Sequence, residues 1–221
     1  MPQKSLFADL IEYYPRGEET LVKKDFVYST KKLTFNMHYK HKLITLAELK
    51  KYLVSDIGCL NGGLTCSNYK NCYSCPPSAP SLDKYNSQNY QFALIYCFYA
   101  DWDIPIKSDN PYFKLINLNR TLSPYSSEYG KKLERLLGGK DMIDGRCHEC
   151  KKCNYPHGCL HPAERRSSLE AVNLDASRLS EEILEHKIEW YRKVGKDIVV
   201  PRFLTVIHGL LTNSQQPKEM L

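Results

Sequence analysis

The sequence predicts an α/β or α+β fold, in which a central mixed sheet is flanked by helices and cysteine-rich metal-binding loops lie at its edge. Two observations favour this class: short apolar runs typical of strands alternate with helical patterns, and loop-forming segments rich in cysteine separate them. The 221 residues suit a single domain. We expect a less defined N-terminal segment over 1–44, a metal-binding core over 45–211 and a frayed tail over 212–221.

The strongest strand signal is the unbroken apolar and aromatic run from Phe92 to Ala100. It is too short for a typical buried helix and fits a central strand. Tyr112 to Leu118 is a second strand candidate. Ile198 to Leu211 predicts a last strand, bent near Pro201 because proline cannot donate a ladder hydrogen bond.

Three helices are predicted from their caps and their periodicity. Thr45 and Glu48 form a capping-box pattern that predicts a helix over about 45–55. A second helix should begin at Ser126 or Ser127 and end at Gly138. Its apolar face comprises Tyr129, Leu133, Leu136 and Leu137.

The third predicted helix opens at Ser180, with acidic residues in its first turn and Gly195 as its stop. Leu184, Ile188 and Tyr191 would share its apolar face. The segment 58–81, in contrast, is rich in Gly, Pro, Ser and Asn, which predicts loops.

The nine cysteines need an explanation, because the chain reads as a cytoplasmic protein. No apolar run approaches the roughly 20 residues that cross a bilayer, and the start lacks a secretory signal, so no membrane insertion is expected. Disulfides are rare in the reducing cytoplasm, where clustered cysteines more often bind metal. An odd number of cysteines also argues against a framework made only of disulfides.

The main metal motif is a run of four cysteines with short spacings. It comprises Cys147, Cys150, Cys153 and Cys159. Intervals of three place three thiolates around one tight coil, and bacterial ferredoxins use a related run for iron–sulfur clusters. Four thiolates also suit structural zinc, which is usually held by two separated C-x2-C pairs. The triple spacing favours a [4Fe–4S] cluster, with zinc as the alternative.

Another cysteine segment, the first along the chain, lies upstream and has a less regular spacing. It comprises Cys59, Cys66, Cys72 and Cys75. Three or four of these residues could build a second cluster, or they could be buried or idle thiols. Cys97, inside the apolar run, is interpreted as a small core residue.

Charged residues and histidines accompany the downstream motif, Cys147 to Cys159. Arg165 and Arg166 could hold an anionic substrate in bidentate contacts, or could balance the negative charge of a thiolate cluster. Loop histidines are more often exposed than liganded, but three stand within the motif: His148, His157 and His161.

The two cysteine segments resemble the uncharacterised family of predicted metal-binding proteins known as domain of unknown function 2284, over about residues 50–210. The downstream part of the resemblance runs from Gly145 through the four cysteines to Pro162, then Arg166–Ala171 and Leu174-Asp175. The upstream part comprises Gly58-Cys59, Cys66, Cys75-Pro76-Pro77 and Pro80. The resemblance implies metal binding of the iron–sulfur kind and supplies no reaction.

Three classes of function fit these features. The first is a redox or sulfur-handling enzyme that acts on a small molecule through a cluster with an open iron site. The second is a two-cluster electron-transfer protein that serves a redox partner. The third is a structural zinc-binding or nucleic-acid-binding module, to which the net charge of +6 would contribute. No nucleophile–base pair or phosphate loop stands out in the sequence.

Overall fold

A computed structural model describes residues 21–29, 34–55, 60–61, 64–101, 110–190, 192–194 and 197–214. Its centre is a five-stranded sheet with the order β1-β2-β5-β9-β6. These strands are β1 (Val22–Ser29), β2 (Thr34–Thr45), β5 (Phe92–Asp101), β6 (Lys140–Met142) and β9 (Phe203–Thr212). Two small hairpins pair β3 (Leu60–Asn61) with β4 (Leu64–Thr65) and β7 (Arg192–Val194) with β8 (Asp197–Val199).

The predicted architecture of a central sheet with helices is confirmed, and every pair of neighbouring strands in the sheet is antiparallel. The chain is therefore of the α+β type, and the predicted mixed pairing does not occur among these strands. β5 and β6 do run in the same direction, as a strand–helix–strand order suggests. β9 lies between them and pairs antiparallel with both. This insertion separates the two strands that a local pattern would pair.

The central strand β5 confirms the strongest strand prediction and is buried on both faces. Leu94, Tyr96 and Phe98 point to one apolar cluster, whereas Ile95 and Cys97 point to the other. Because successive side chains of a strand alternate between faces, an unbroken apolar run is what a doubly covered strand requires. Cys97 is fully buried, as predicted for a core residue.

One face of the sheet is covered by a single long helix, α3 (Pro111–Leu137). Its buried stripe consists of Leu118, Leu122, Tyr125, Tyr129, Leu133 and Leu137. This helix corrects two predictions. Tyr112 to Leu118 is its first part and is not a strand, and Ser126 lies inside it. The apolar stripe of the helix starts with Leu118, and its helical periodicity, not the short apolar run before it, decides the structure of this segment.

The other face is covered by shorter helices, α1 (Leu46–Leu49), α2 (Leu82–Tyr85) and α4 (Ala176–Leu184). The α1 prediction is confirmed, since Thr45 caps it by accepting the Glu48 N–H at 3.1 Å. A 3-10 turn extends it only to Tyr52.

The start and the end of the last helix, α4, differ from the prediction. Asp175 caps it by accepting the Arg178 N–H, and Glu185 ends it with a positive φ of 49°. Ser180 is therefore inside the helix, where its hydroxyl donates to the His186 carbonyl. Ile188 follows the helix, while Tyr191 and Gly195 lie outside the described residues.

The predicted last strand is divided at the bend. Residues 197–199 form β8, and β9 begins at Phe203, so Pro201 lies between them as expected from its missing N–H. In the described part of the chain, no helix combines the length and the apolar character that a membrane crossing needs.

Candidate metal-binding site

The second cysteine segment begins where the sheet ends. β6 is the edge strand beside β9, and the chain leaves it through Ile143, which bridges to Ser168. Between these two residues the backbone forms turns and bends without a helix or a strand. The cysteines Cys147, Cys150, Cys153 and Cys159 all lie in this loop, and each is partly buried.

The first cysteine segment packs against this loop. The Ser74 hydroxyl accepts a hydrogen bond from the Cys147 N–H at 3.0 Å, and the Tyr73 hydroxyl accepts one from the Gly158 N–H at 2.8 Å. The rings of Tyr73 and Tyr155 meet edge to face, with their centroids 5.1 Å apart. Two segments that are about 75 residues apart in sequence therefore form one structural unit.

A cleft that is partly open to solvent lies at this junction. The thiol-bearing residues around it come from both segments: Cys72, Cys147, Cys150, Cys153 and Cys159. The other lining residues are Tyr73, Ser74, Glu149, His161 and Arg165. Sequence reasoning treated the two motifs as separate sites, and the structure brings Cys72 of the first to the four cysteines of the second. We call this place the thiol cleft.

The thiols of the cleft are close enough to affect each other's ionisation. Burial and then the neighbouring thiolates, those of Cys147, Cys153 and Cys159, raise the pKa of Cys150. Burial also raises the pKa of Cys72, although a hydrogen bond with Cys75 opposes the shift. Thiolates crowded in this way are unfavourable without a cation, and metal coordination removes that penalty by holding cysteine in its thiolate form.

The remaining cysteines of the first segment differ in position. Cys75 is buried next to Ser74, with 3.7 Å between their side-chain heteroatoms. Cys66 is partly buried and does not line the thiol cleft. Cys59 lies outside the described residues. The second site predicted for these four residues stays a prediction.

Of the three candidate histidines, only His161 lines the thiol cleft. His148 and His157 do not line it, and all three histidines are exposed. The geometry thus leaves one histidine placed to meet a molecule that enters the cleft.

The two neighbouring arginines have different environments. Arg166 is bound by three groups: its Nε and Nη2 donate to the Glu134 carboxylate, and its Nη1 donates to Glu149 at 2.6 Å and to the Glu164 carbonyl at 2.7 Å. Glu149 also pairs with Lys131 at 2.8 Å. These ion pairs fix the cysteine loop to α3, so Arg166 belongs to the scaffold. Arg165 lines the cleft.

A buried Ser–His–Asp chain, which the sequence did not reveal, lies on the α3 side of the sheet. His208 Nδ1 is 2.8 Å from Asp141, and its Nε2 is 3.0 Å from the Ser126 hydroxyl. Tyr96 donates to the same carboxylate at 2.9 Å. The order of groups is that of a hydrolase triad. Because each of these side chains is at most 1% exposed, a substrate has no access, and the chain serves as a satisfied polar network of the core.

The sulfur donors of the thiol cleft are soft ligands. Thiolates select zinc and iron–sulfur clusters. A single zinc ion needs its sulfurs about 3.8 Å apart, as follows from tetrahedral geometry with bonds of about 2.3 Å. Among the described residues, no group of three or more His, Cys, Asp and Glu side chains is arranged to hold one metal ion. The five thiol-bearing residues line one cleft.

The antiparallel α+β fold with a thiol-lined cleft beside its edge strand defines the class: a cysteine-rich protein with a donor set for metal. The chain belongs to the family of predicted metal-binding proteins with domain of unknown function 2284 (DUF2284), whose model matches residues 56–204. This match confirms the family resemblance read from the two motifs. No curated protein and no solved structure matches the chain.

Proposed function

We propose that this protein binds iron–sulfur clusters and acts on a small molecule in redox or sulfur chemistry, through a cluster with an open iron site. A [4Fe–4S] cluster would be held by the four cysteines of the downstream loop: Cys147, Cys150, Cys153 and Cys159. The spacing of these residues supports iron–sulfur over zinc. The open iron would belong to a second cluster, held by only three of Cys59, Cys66, Cys72 and Cys75. Its free coordination position would let that iron act as a Lewis acid on the bound molecule.

The observation that carries the proposal is the fifth cysteine of the thiol cleft. A [4Fe–4S] cluster takes four cysteine ligands. Cys72 lines the same cleft as the other four cysteines. It would therefore either face the cluster as an additional thiol or belong to a second cluster beside it. In both cases thiols of the two motifs would act together in the thiol cleft, which is open to solvent.

The alternative function is electron transfer between two clusters and a partner enzyme. The second cluster would use Cys59, Cys66, Cys72 and Cys75. Cys72 at the cleft would place such a cluster beside the first.

Metal analysis of the anaerobically prepared protein tests the proposal most directly. We expect about four iron and about four sulfide for each cluster. Cys150→Ala should lose the cluster of the downstream loop. Cys97→Ala is the matched control, because it removes a thiol that is buried in β5 away from the cleft, and it should retain the iron. Stoichiometric zinc without sulfide would refute the iron–sulfur assignment.

Single substitutions in the first segment separate the enzyme from the electron carrier. The four variants are Cys59→Ala, Cys66→Ala, Cys72→Ala and Cys75→Ala. If one of these cysteines is dispensable and small thiols or sulfide change the cluster spectrum, an open iron site is supported. If all four are required and added ligands have no effect, the two-cluster carrier is favoured.

A further inference from the structure

Arg165 and Arg166 are neighbours in sequence but differ in how their hydrogen-bond donors are used. Arg166 has its guanidinium occupied by two carboxylates and a carbonyl. Arg165 is half-buried at the thiol cleft, and within the described ranges it has neither an ion pair nor a hydrogen bond. A guanidinium carries five N–H donors in a fixed fork that matches two oxygens of one anion.

The carboxylate nearest to the cleft is already neutralised. Glu149 lines the cleft, but it pairs with both Lys131 and Arg166, at 2.8 and 2.6 Å. It is therefore not needed as a partner for Arg165. His161 lines the same opening, and the N–H of its ring provides a second donor to an anion.

We propose that Arg165 and His161 form an anion subsite in the thiol cleft, which binds the carboxylate or phosphate group of the small molecule on which the protein acts. The proposal rests on the function proposed above, because it takes the thiol cleft as the reacting centre. It narrows the substrate to a small anion whose charged group lies at Arg165 and whose other end faces the thiols.

Charge balance is the competing explanation for Arg165. A guanidinium beside several thiolates would offset their negative charge without binding any molecule. A lysine can replace an arginine in that role, since only the charge matters. It cannot reproduce bidentate contacts to one anion. Arg165→Lys and Arg165→Gln therefore distinguish the two roles.

The test compares two thiols of similar size on the anaerobic, metal-loaded protein. Mercaptoacetate carries a carboxylate, whereas 2-mercaptoethanol is neutral, and both are titrated against the visible spectrum of the cluster. We expect mercaptoacetate to bind at least about tenfold more tightly, the effect of one charge-assisted hydrogen-bond pair. This preference should vanish in Arg165→Gln, decrease in Arg165→Lys and in His161→Asn, and persist in the surface control Arg178→Gln.

Inorganic phosphate gives a second measurement that does not need an open iron. Calorimetric titration should show binding to the parent protein and at least about tenfold weaker binding to Arg165→Gln. Phosphate binding that depends on Arg165, without any spectral response to thiols, would support the subsite while refuting the open iron site. A preference for phosphate over mercaptoacetate would assign the subsite to phosphorylated molecules.

Two results would overturn the subsite. One is the same response to both thiols, and the same phosphate binding, in the parent and in Arg165→Gln. The other is the signature of charge balance: Arg165→Gln shifts the reduction potential of the cluster, Arg165→Lys restores it, and neither variant changes the affinity for mercaptoacetate or phosphate.

Discussion

The sheet and the thiol cleft are stabilised in different ways. In the sheet, β5 and β9 pair over ten residues each, and their side chains pack into apolar clusters on both faces. The loop that carries the downstream cysteines has no regular element, and its cysteines are all partly exposed. The sheet is held by hydrophobic burial, whereas the cleft depends on a few specific polar contacts. Metal binding would add directly to the folding of the cleft.

Removing the ion pairs of Arg166 is the first test of this difference in stabilisation between the sheet and the thiol cleft. Arg166→Gln leaves the Glu134 carboxylate, which is 13% exposed, without its cation, whereas Glu149 keeps its pair with Lys131. Removing one partner of such a pair strands a buried charge, so we expect a loss of about 3 kcal/mol in the free energy of unfolding. The cysteine loop should lose hydrogen-exchange protection before β5 does.

Arg178→Gln is the control for this substitution, because Arg178 forms an exposed ion pair with Glu182 on α4. Surface pairs contribute little, so its stability should stay close to that of the parent. Equal effects of the two variants would show that the Arg166 contacts do not hold the loop.

The sheet should lose stability in acid because of the buried His41. Burial lowers the pKa of this histidine to about 3, well below its usual value of 6.5, and its Nδ1 lies 2.9 Å from the Tyr39 hydroxyl. The unfolded chain therefore binds a proton that the folded protein does not, and stability decreases as the pH falls from about 6.5 towards 3. Between pH 7 and pH 4.5 we expect His41 to account for about 2 kcal/mol.

His41→Gln should flatten this pH dependence, measured by chemical denaturation of variant and parent at each pH. The difference between the two proteins cancels the contribution of the other titratable groups, which both proteins share. If both proteins lose stability in parallel as the pH falls, His41 is not the responsible group.

Weakening the contact between the two cysteine segments should cause the smallest loss of stability. Tyr73→Phe removes the oxygen that accepts from the Gly158 N–H and keeps the ring that packs on Tyr155. We expect a loss of about 1 kcal/mol, the usual contribution of one hydrogen bond. Faster exchange of the Gly158 amide should report it, with the β5 amides unchanged. Uniformly faster exchange would mean that the cleft and the sheet unfold together.

Two of the five strands of the sheet, β5 and β9, and one helix cap could be predicted from local sequence. The run from Phe92 to Ala100 identified the central strand because a doubly covered strand needs apolar residues on both faces. The helix cap at Thr45 could also be predicted, since it depends only on Thr45 and on Glu48, three residues later. The error at Tyr112 to Leu118 arose because a short apolar run fits a strand and a buried helix equally well.

The sequence by itself determined the metal-binding chemistry, since thiols in a C-x2-C-x2-C run lie near each other in any compact backbone. Only the tertiary structure decided that Cys72 joins these thiols and that Arg165 faces the cleft while Arg166 is held by Glu134 and Glu149. Two adjacent arginines look alike in sequence. Their roles depend on carboxylates far along the chain, and only folding brings those within hydrogen-bonding distance.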